Sequence, residues 1–221
     1  MAARAVVFDL YGTLLRLEGL ADAAAAAGAP DPAAFVTAWR RKQIEYAWIS
    51  SLGNAFRDFD ELTALALEHT CAQIGVPLDA IGRARLFEAA SLLPAHPDAR
   101  DALQALHARG IPLAVLTNGV RTSAVAALDH AGILDLFSAV LSVETVRVYK
   151  PDPRVYTIAT DHFACAPFEI AFVSSNAWDA WGASHFGFRV LWCNRSGATP
   201  DLLTPAPAIT LTSLAELPEH V

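Results

Sequence analysis

The chain has 221 residues, of which 54% are hydrophobic, enough for a full core in one domain or in two small ones. A formal net charge of −7 argues against a surface that tracks nucleic-acid phosphates, which is ordinarily basic, and points to small-molecule partners. Cys71, Cys165 and Cys193 are odd in number and widely spaced in apolar surroundings, so they read as reduced thiols of a cytoplasmic protein.

In chain order, the N-terminus carries one arginine and then strand-like sequence, with no long apolar region, so no signal peptide is read. "VVFDLYGTLL" (6–15) predicts a buried strand that ends at Asp9, followed by a Gly12-Thr13 turn. Residues 16–94 hold three or four helical patterns and no convincing strand. Within them 33–52 is the longest, with Phe35, Trp39, Ile44, Trp48 and Leu52 read as one aromatic-rich face. The alanine run Ala23 to Ala27 is far short of the ~20 apolar residues that span a bilayer, so no membrane role is expected. "LLPAHPD" (92–98) reads as a return hinge, and 98–109 as a helix closed by Gly110. Strands follow at 111–118, 137–143, 169–175 and 188–194, with a weaker one at 208–212. Strands alternating with helices predict an α/β fold with a parallel sheet, whose ligands bind beyond the carboxyl ends of the strands.

The strand ends are where polar residues collect. The first predicted strand delivers Asp9, Tyr11 and Thr13, and the second Thr117 and Asn118. Lys150 follows the third, and the fourth delivers Ser174, Ser175, Asn176 and Asp179. Packing alone does not explain such a convergence on one sheet edge. None of the seven histidines has metal-ligand spacing, and no G-x-S-x-G elbow is present.

"FDLYGTL", "LTNG", "VYKPDPRVY" and "FVSSNAWD" stand in the order and spacing of the haloacid dehalogenase superfamily. The chain resembles that family's L-2-haloacid dehalogenase branch over nearly its whole length, including "WRRKQIEYAWISSL", which looks like the branch's cap helix. The resemblance implies a Rossmann-like core (1–15 and 95–221) with an inserted helical cap (16–94). Phosphatases of the superfamily carry a second acid two residues after the nucleophile; here that position is Tyr11, and the fourth motif has Ser174-Ser175 in place of glycine-aspartate. The implied reaction therefore uses no metal and no cofactor. Asp9 attacks the halide-bearing carbon of a small halogenated carboxylic acid, and water then hydrolyses the resulting ester.

The same resemblance assigns the other roles. Lys150 orients Asp9, Thr13 holds the nucleophile loop, and Asp179, with Tyr156, Ser174 and Asn176, positions or activates the hydrolytic water. Thr117 binds the substrate carboxylate with backbone N–H groups after Asp9 at Leu10 and Tyr11. Arg40 meets the departing halide with help from Asn118. Tyr11, Ile44, Phe59 and Trp178 wall the substrate's carbon chain. A homodimer is also implied, with Trp39 and Trp48 supplying an apolar patch. Two rival readings remain at this point: a magnesium-dependent phosphatase of the same fold, and a non-catalytic small-acid-binding protein.

Overall fold

A parallel strand buried on both faces must be apolar at every position, and Ala5–Phe8 (β1) is fully buried along its length. The computed structural model of the protein describes residues 3–77 and 79–221. After β1 come four helices, α1 (Gly19–Ala26), α2 (Pro32–Leu52), α3 (Phe59–Ile74) and α4 (Ala80–Ser91). The chain then alternates through α5 (Ala99–Ala108), β2 (Leu113–Thr117), α6 (Arg121–His130), β3 (Ala139–Ser142), α7 (Pro153–Phe163), β4 (Ile170–Ser174), α8 (Ala177–Phe186) and β5 (Arg189–Cys193). It closes with β6 (Ile209–Leu211) and α9 (Leu217–His220). All six predicted strands form.

The strands make one parallel sheet in the order β3-β2-β1-β4-β5-β6. Phe8 pairs with Val115 on one side and Val173 on the other. Alternating side chains build a core on each face. Val6, Phe8, Val115 and Val173 join one cluster, while Val7, Leu116 and Phe172 join the other. The chain winds outward from β1 through β2 to β3 and then returns to place β4 on β1's other side. The switch point thus lies between β1 and β4, and in such sheets ligands bind beyond the strand ends at that point.

The four helices leave and rejoin the sheet domain side by side. Arg16 N donates to Pro94 O at 2.9 Å and His96 N to Leu14 O at 2.8 Å, an antiparallel pairing of the two connections. Aspartates start three of these helices: Asp31, Asp58 and Asp79 each accept a backbone N–H from the first turn. The α2 prediction needs a correction. Phe35 and Trp39 are buried, but the buried stripe continues through Gln43, Ala47 and Ser50, and Leu52 is 88% exposed. At ~100° per residue, Ile44 lies about 180° from Phe35, so the predicted residues occupy two faces.

Outside the sheet edge, Asp98 ties the C-terminal segment to α5. Its carboxylate accepts from Arg195 Nη1 at 2.6 Å and Nη2 at 2.9 Å, from Ser213 Oγ at 2.6 Å and from Leu214 N at 2.8 Å. Burial works against its charge, but these donors prevail and hold it down at about 2.

Candidate active site

Asp9 is the first residue beyond β1, fixed by its N–H to Val173 O at 2.9 Å. The next turn needs a backbone that L side chains rarely adopt, and Gly12 supplies it at φ +88°. That turn swings Thr13 back so that its Oγ1 donates to Asp9 Oδ2 at 2.9 Å and accepts from Ser175 N at 2.8 Å. One hydroxyl therefore joins the ends of β1 and β4. Asn176 Nδ2, at the start of α8, adds a second bond to Asp9 Oδ2 at 2.9 Å.

The ammonium of Lys150 is fully buried and lies between two carboxylates, donating to Asp9 Oδ1 at 3.1 Å and Asp179 Oδ2 at 2.9 Å. It also sits 5.0 Å over the ring of Phe172. Burial alone would lower its pKa, but the two carboxylates raise it, so it stays charged. Asp179, also fully buried, accepts from Tyr156 OH at 2.8 Å through Oδ1. Burial lifts Asp179 to about 6, against the pull of Lys150 and with the repulsion of Asp9. Two carboxylates face one ammonium, so the cluster carries an excess negative charge. Any cation seeking both carboxylates would have to displace the lysine.

The backbone of Lys150 is held as firmly as its side chain. Its N–H donates to Asn118 Oδ1 at 3.0 Å, and its carbonyl accepts from Trp48 Nε1 of α2 at 3.1 Å. Asn118 Nδ2 is buried and donates to no group among the described residues. Thr117 Oγ1 accepts from Gly119 N at 3.0 Å, leaving its hydrogen for another acceptor. Ser174 Oγ accepts from Asn176 N at 3.1 Å and so shapes the start of α8.

The predicted wall residues divide between two spaces. Tyr11 and Phe59 line a cavity of about 270 Å³ with Trp39, Arg40, Gln43 and Thr63. Ile44 and Trp178 line a more open groove of about 440 Å³ with Arg41, Trp48 and Asn176. Arg40 and Leu17 border both, and Asp9, 6% exposed, lines neither but is bonded to Asn176 of the groove. Leu10 contributes only backbone, because its side chain is fully buried in the core. Burial, with the charges of Asp60 and Asp9, pushes the Tyr11 phenol up to about 12. Burial lowers the Arg40 guanidinium, while the nearby charge of Asp9 opposes that shift.

Two glycines that sequence reasoning passed over shape the site. A Cβ on Gly182 would come within 2.5 Å of both Tyr156 OH and Pro151 Cβ, so α8 can approach these residues only without a side chain. A Cβ on Gly119 would lie 3.0 Å from the Tyr11 ring. Gly182 is hidden inside a helix, and Gly119, although it closes the "LTNG" motif just beyond β2, has no ionisable group to mark it.

Residues 3–187 match the family model described as haloacid dehalogenase-like hydrolase. The chain is 41% identical over 212 residues to (S)-2-haloacid dehalogenase H-109 of Pseudomonas putida, covering 96% of this chain and 95% of that protein. A solved L-2-haloacid dehalogenase superposes with a TM-score of 0.96 at 37% identity, over 99% of this chain and 98% of its own. The L-2-haloacid dehalogenase of Xanthobacter autotrophicus, solved with chloropropionic acid covalently bound, superposes with a TM-score of 0.91 at 32% identity, over 99% and 98% of the two chains. With the match spanning both the sheet domain and its helical insertion, the chain belongs to the haloacid dehalogenase-like hydrolases.

Proposed function

We propose that this protein is an (S)-2-haloacid dehalogenase, a hydrolase that converts (S)-2-haloacids to (R)-2-hydroxy acids through an aspartyl ester on Asp9. The observation that carries the reading is the buried lysine shared by Asp9 and Asp179, with a phenol, Tyr11, where a second acid would serve metal-assisted phosphoryl transfer. Residues 16–94 act as a cap over a core made of 1–15 and 95–221.

In the first step Asp9 attacks C2 of the substrate from the side opposite the halide. A C–O bond forms, the C–X bond breaks with its electron pair leaving as halide, and C2 inverts. Asp9 Oδ2 has two donors and Oδ1 has one, so Oδ1 keeps the more available lone pair for this attack. Thr117 and the backbone after Asp9 bind the substrate carboxylate. Arg40 and Asn118 receive the halide, and the unpaired Nδ2 of Asn118 supports that role, because a bound anion relieves a costly unsatisfied donor. In the second step water adds to the Asp9 carbonyl carbon and passes one proton to Asp179. The bond from that carbon to the ester oxygen breaks, the departing oxygen takes its electron pair and the proton back from Asp179, and the restored Asp9 carboxyl loses the other proton to solvent. Burial, the largest cause of the raised pKa of Asp179, persists when Asp9 is esterified and keeps it a stronger base than an ordinary carboxylate, which suits that task.

We also read the protein as a cytoplasmic homodimer without a nucleic-acid partner. Among the described residues no helix is long and apolar enough to cross a membrane. The apolar patch on α2 differs from the expected one. Trp39 is buried, while Trp48, Ile49 and Leu52 are exposed.

The test is release of halide and 2-hydroxy acid from L- and D-2-chloropropionate in the presence of EDTA, with p-nitrophenyl phosphate in parallel. Release from the L-isomer alone, insensitive to EDTA, supports the reading. Magnesium-dependent phosphate release without halide contradicts it.

A further inference from the structure

The insertion contains a buried polar chain that the mechanism above leaves unused. Gln43, one turn beyond Arg40 on α2, is 4% exposed. Its Oε1 accepts from Arg40 Nη1, and its Nε2 donates to Thr63 Oγ1 on α3. The Thr63 hydroxyl in turn donates to the Phe59 carbonyl at 2.6 Å. The polarity of this chain is forced. The carbonyl can only accept, so Thr63 spends its hydrogen there and must accept from Gln43, which turns the amide oxygen toward the guanidinium. A flipped amide would set its NH₂ against the N–H groups of Arg40.

We propose that Gln43, locked by Thr63, is the positioning residue that aims the Arg40 guanidinium at the halide. The inference rests on the role given to Arg40 under the proposed function. Packing does not account for an amide here. Trp39 Nε1 already ties α2 to α3 by donating to Thr63 O at 3.0 Å, and an apolar side chain at 43 would avoid the desolvation of a buried amide. What the amide alone supplies is a fixed acceptor for one guanidinium nitrogen, which leaves the other N–H groups of Arg40 for an anion. Gln43, Thr63 and Arg40 all border the 270 Å³ cavity that Tyr11 and Phe59 line, so the chain runs along the wall of the site.

The experiment follows single turnovers of 2-chloro- and 2-bromopropionate in wild type, Gln43→Leu, Thr63→Val, the double variant and Thr63→Ser, timing halide release and hydroxy acid formation separately. Misaiming Arg40 affects only the step in which halide leaves. Gln43→Leu and Thr63→Val are therefore expected to slow halide release about 10- to 100-fold, more for chloride than for bromide, with ester hydrolysis unchanged. The double variant should be no slower than Gln43→Leu, because both changes break one chain, and Thr63→Ser should match wild type. Thr63→Val is nearly isosteric and decides the matter if Gln43→Leu does not fold. Equal slowing of both steps, or unchanged halide release in the single variants, overturns the proposal. A wild-type protein that releases no halide overturns the proposed function and this inference together, whereas a wild-type burst with unaffected variants overturns this inference alone.

Discussion

Asp179 shows how one residue can be legible in sequence and still take its chemistry from the fold. Its place in "FVSSNAWD" marks it as polar at a strand end, as "FDLYGTL" marks Asp9. Its burial beside Lys150 and Tyr156, and hence its pKa of about 6, depends on distances that only packing sets. As the proposed base Asp179 works as the carboxylate, so ester hydrolysis should fall in acid, at a pH below the value of about 6 that holds while Asp9 is charged. In the ester the charge of Asp9 no longer helps to raise Asp179, so hydroxy acid formation should be slower at pH 5 than at pH 7.5, by less than the tenfold a pKa of about 6 would give, while the halide burst persists. Rapid-quench measurements at pH 5 and 7.5 check this, and a hydrolysis rate equal at both values would remove Asp179 as the base. Gln43 was not legible for a related reason. A glutamine on a helix reads as surface until the neighbouring helix is known to cover it, and Thr63 lies twenty residues away.

At the level of elements, helix contact faces were harder to read than strands. β1, β2 and β4 are apolar runs whose type and direction follow from burial on both sides, while the edge strands β3 and β6 are only partly buried. Helix α2 carries apolar residues nearly all round, so its sequence did not settle which stripe packs inward. Phe35 and Trp39 face the helical insertion, whereas Trp48 reaches across to the Lys150 carbonyl and packs edge-to-face on Trp178 at 5.8 Å. Helix α8 falls between two predicted strands, but its close approach to Tyr156 was not visible, because a helix-interior glycine reads as a weak point. Gly182→Ala puts a methyl group where Tyr156 OH and Pro151 lie. It should destabilise the fold by about 1–3 kcal/mol and slow turnover by weakening the Tyr156 to Asp179 bond. Thermal denaturation and steady-state kinetics measure the two effects, and an alanine variant equal to wild type in both would mean that α8 moves aside at no cost.

For the molecule as a whole, topology brings the parts together. The switch between β1 and β4 sets Asp9 beside Ser175 and Asn176, and the segment after β3 supplies Lys150 from across the crevice. The insertion hangs on the paired connections at 14–16 and 94–96 and is fastened again by Trp48 to Lys150 O and by Ser51 Oγ, which accepts from Tyr149 N at 2.9 Å. The expected fold class was legible because alternating strands and helices leave few topologies to consider. The division of the wall residues into a cavity and a groove was not, because it depends on how the insertion is seated over the sheet.

The central claim is that Asp9 forms a covalent ester that water opens at the aspartyl carbonyl. The most direct test is a single turnover of L-2-chloropropionate in heavy-oxygen water with enzyme in excess, followed by mass analysis of the peptide that contains Asp9 and of the product. The mechanism predicts that the first turnover places the heavy oxygen in the Asp9 carboxylate and leaves the hydroxy acid unlabelled. Label in the hydroxy acid, with an unlabelled Asp9 peptide, would mean that water attacks the substrate carbon directly and would contradict the account.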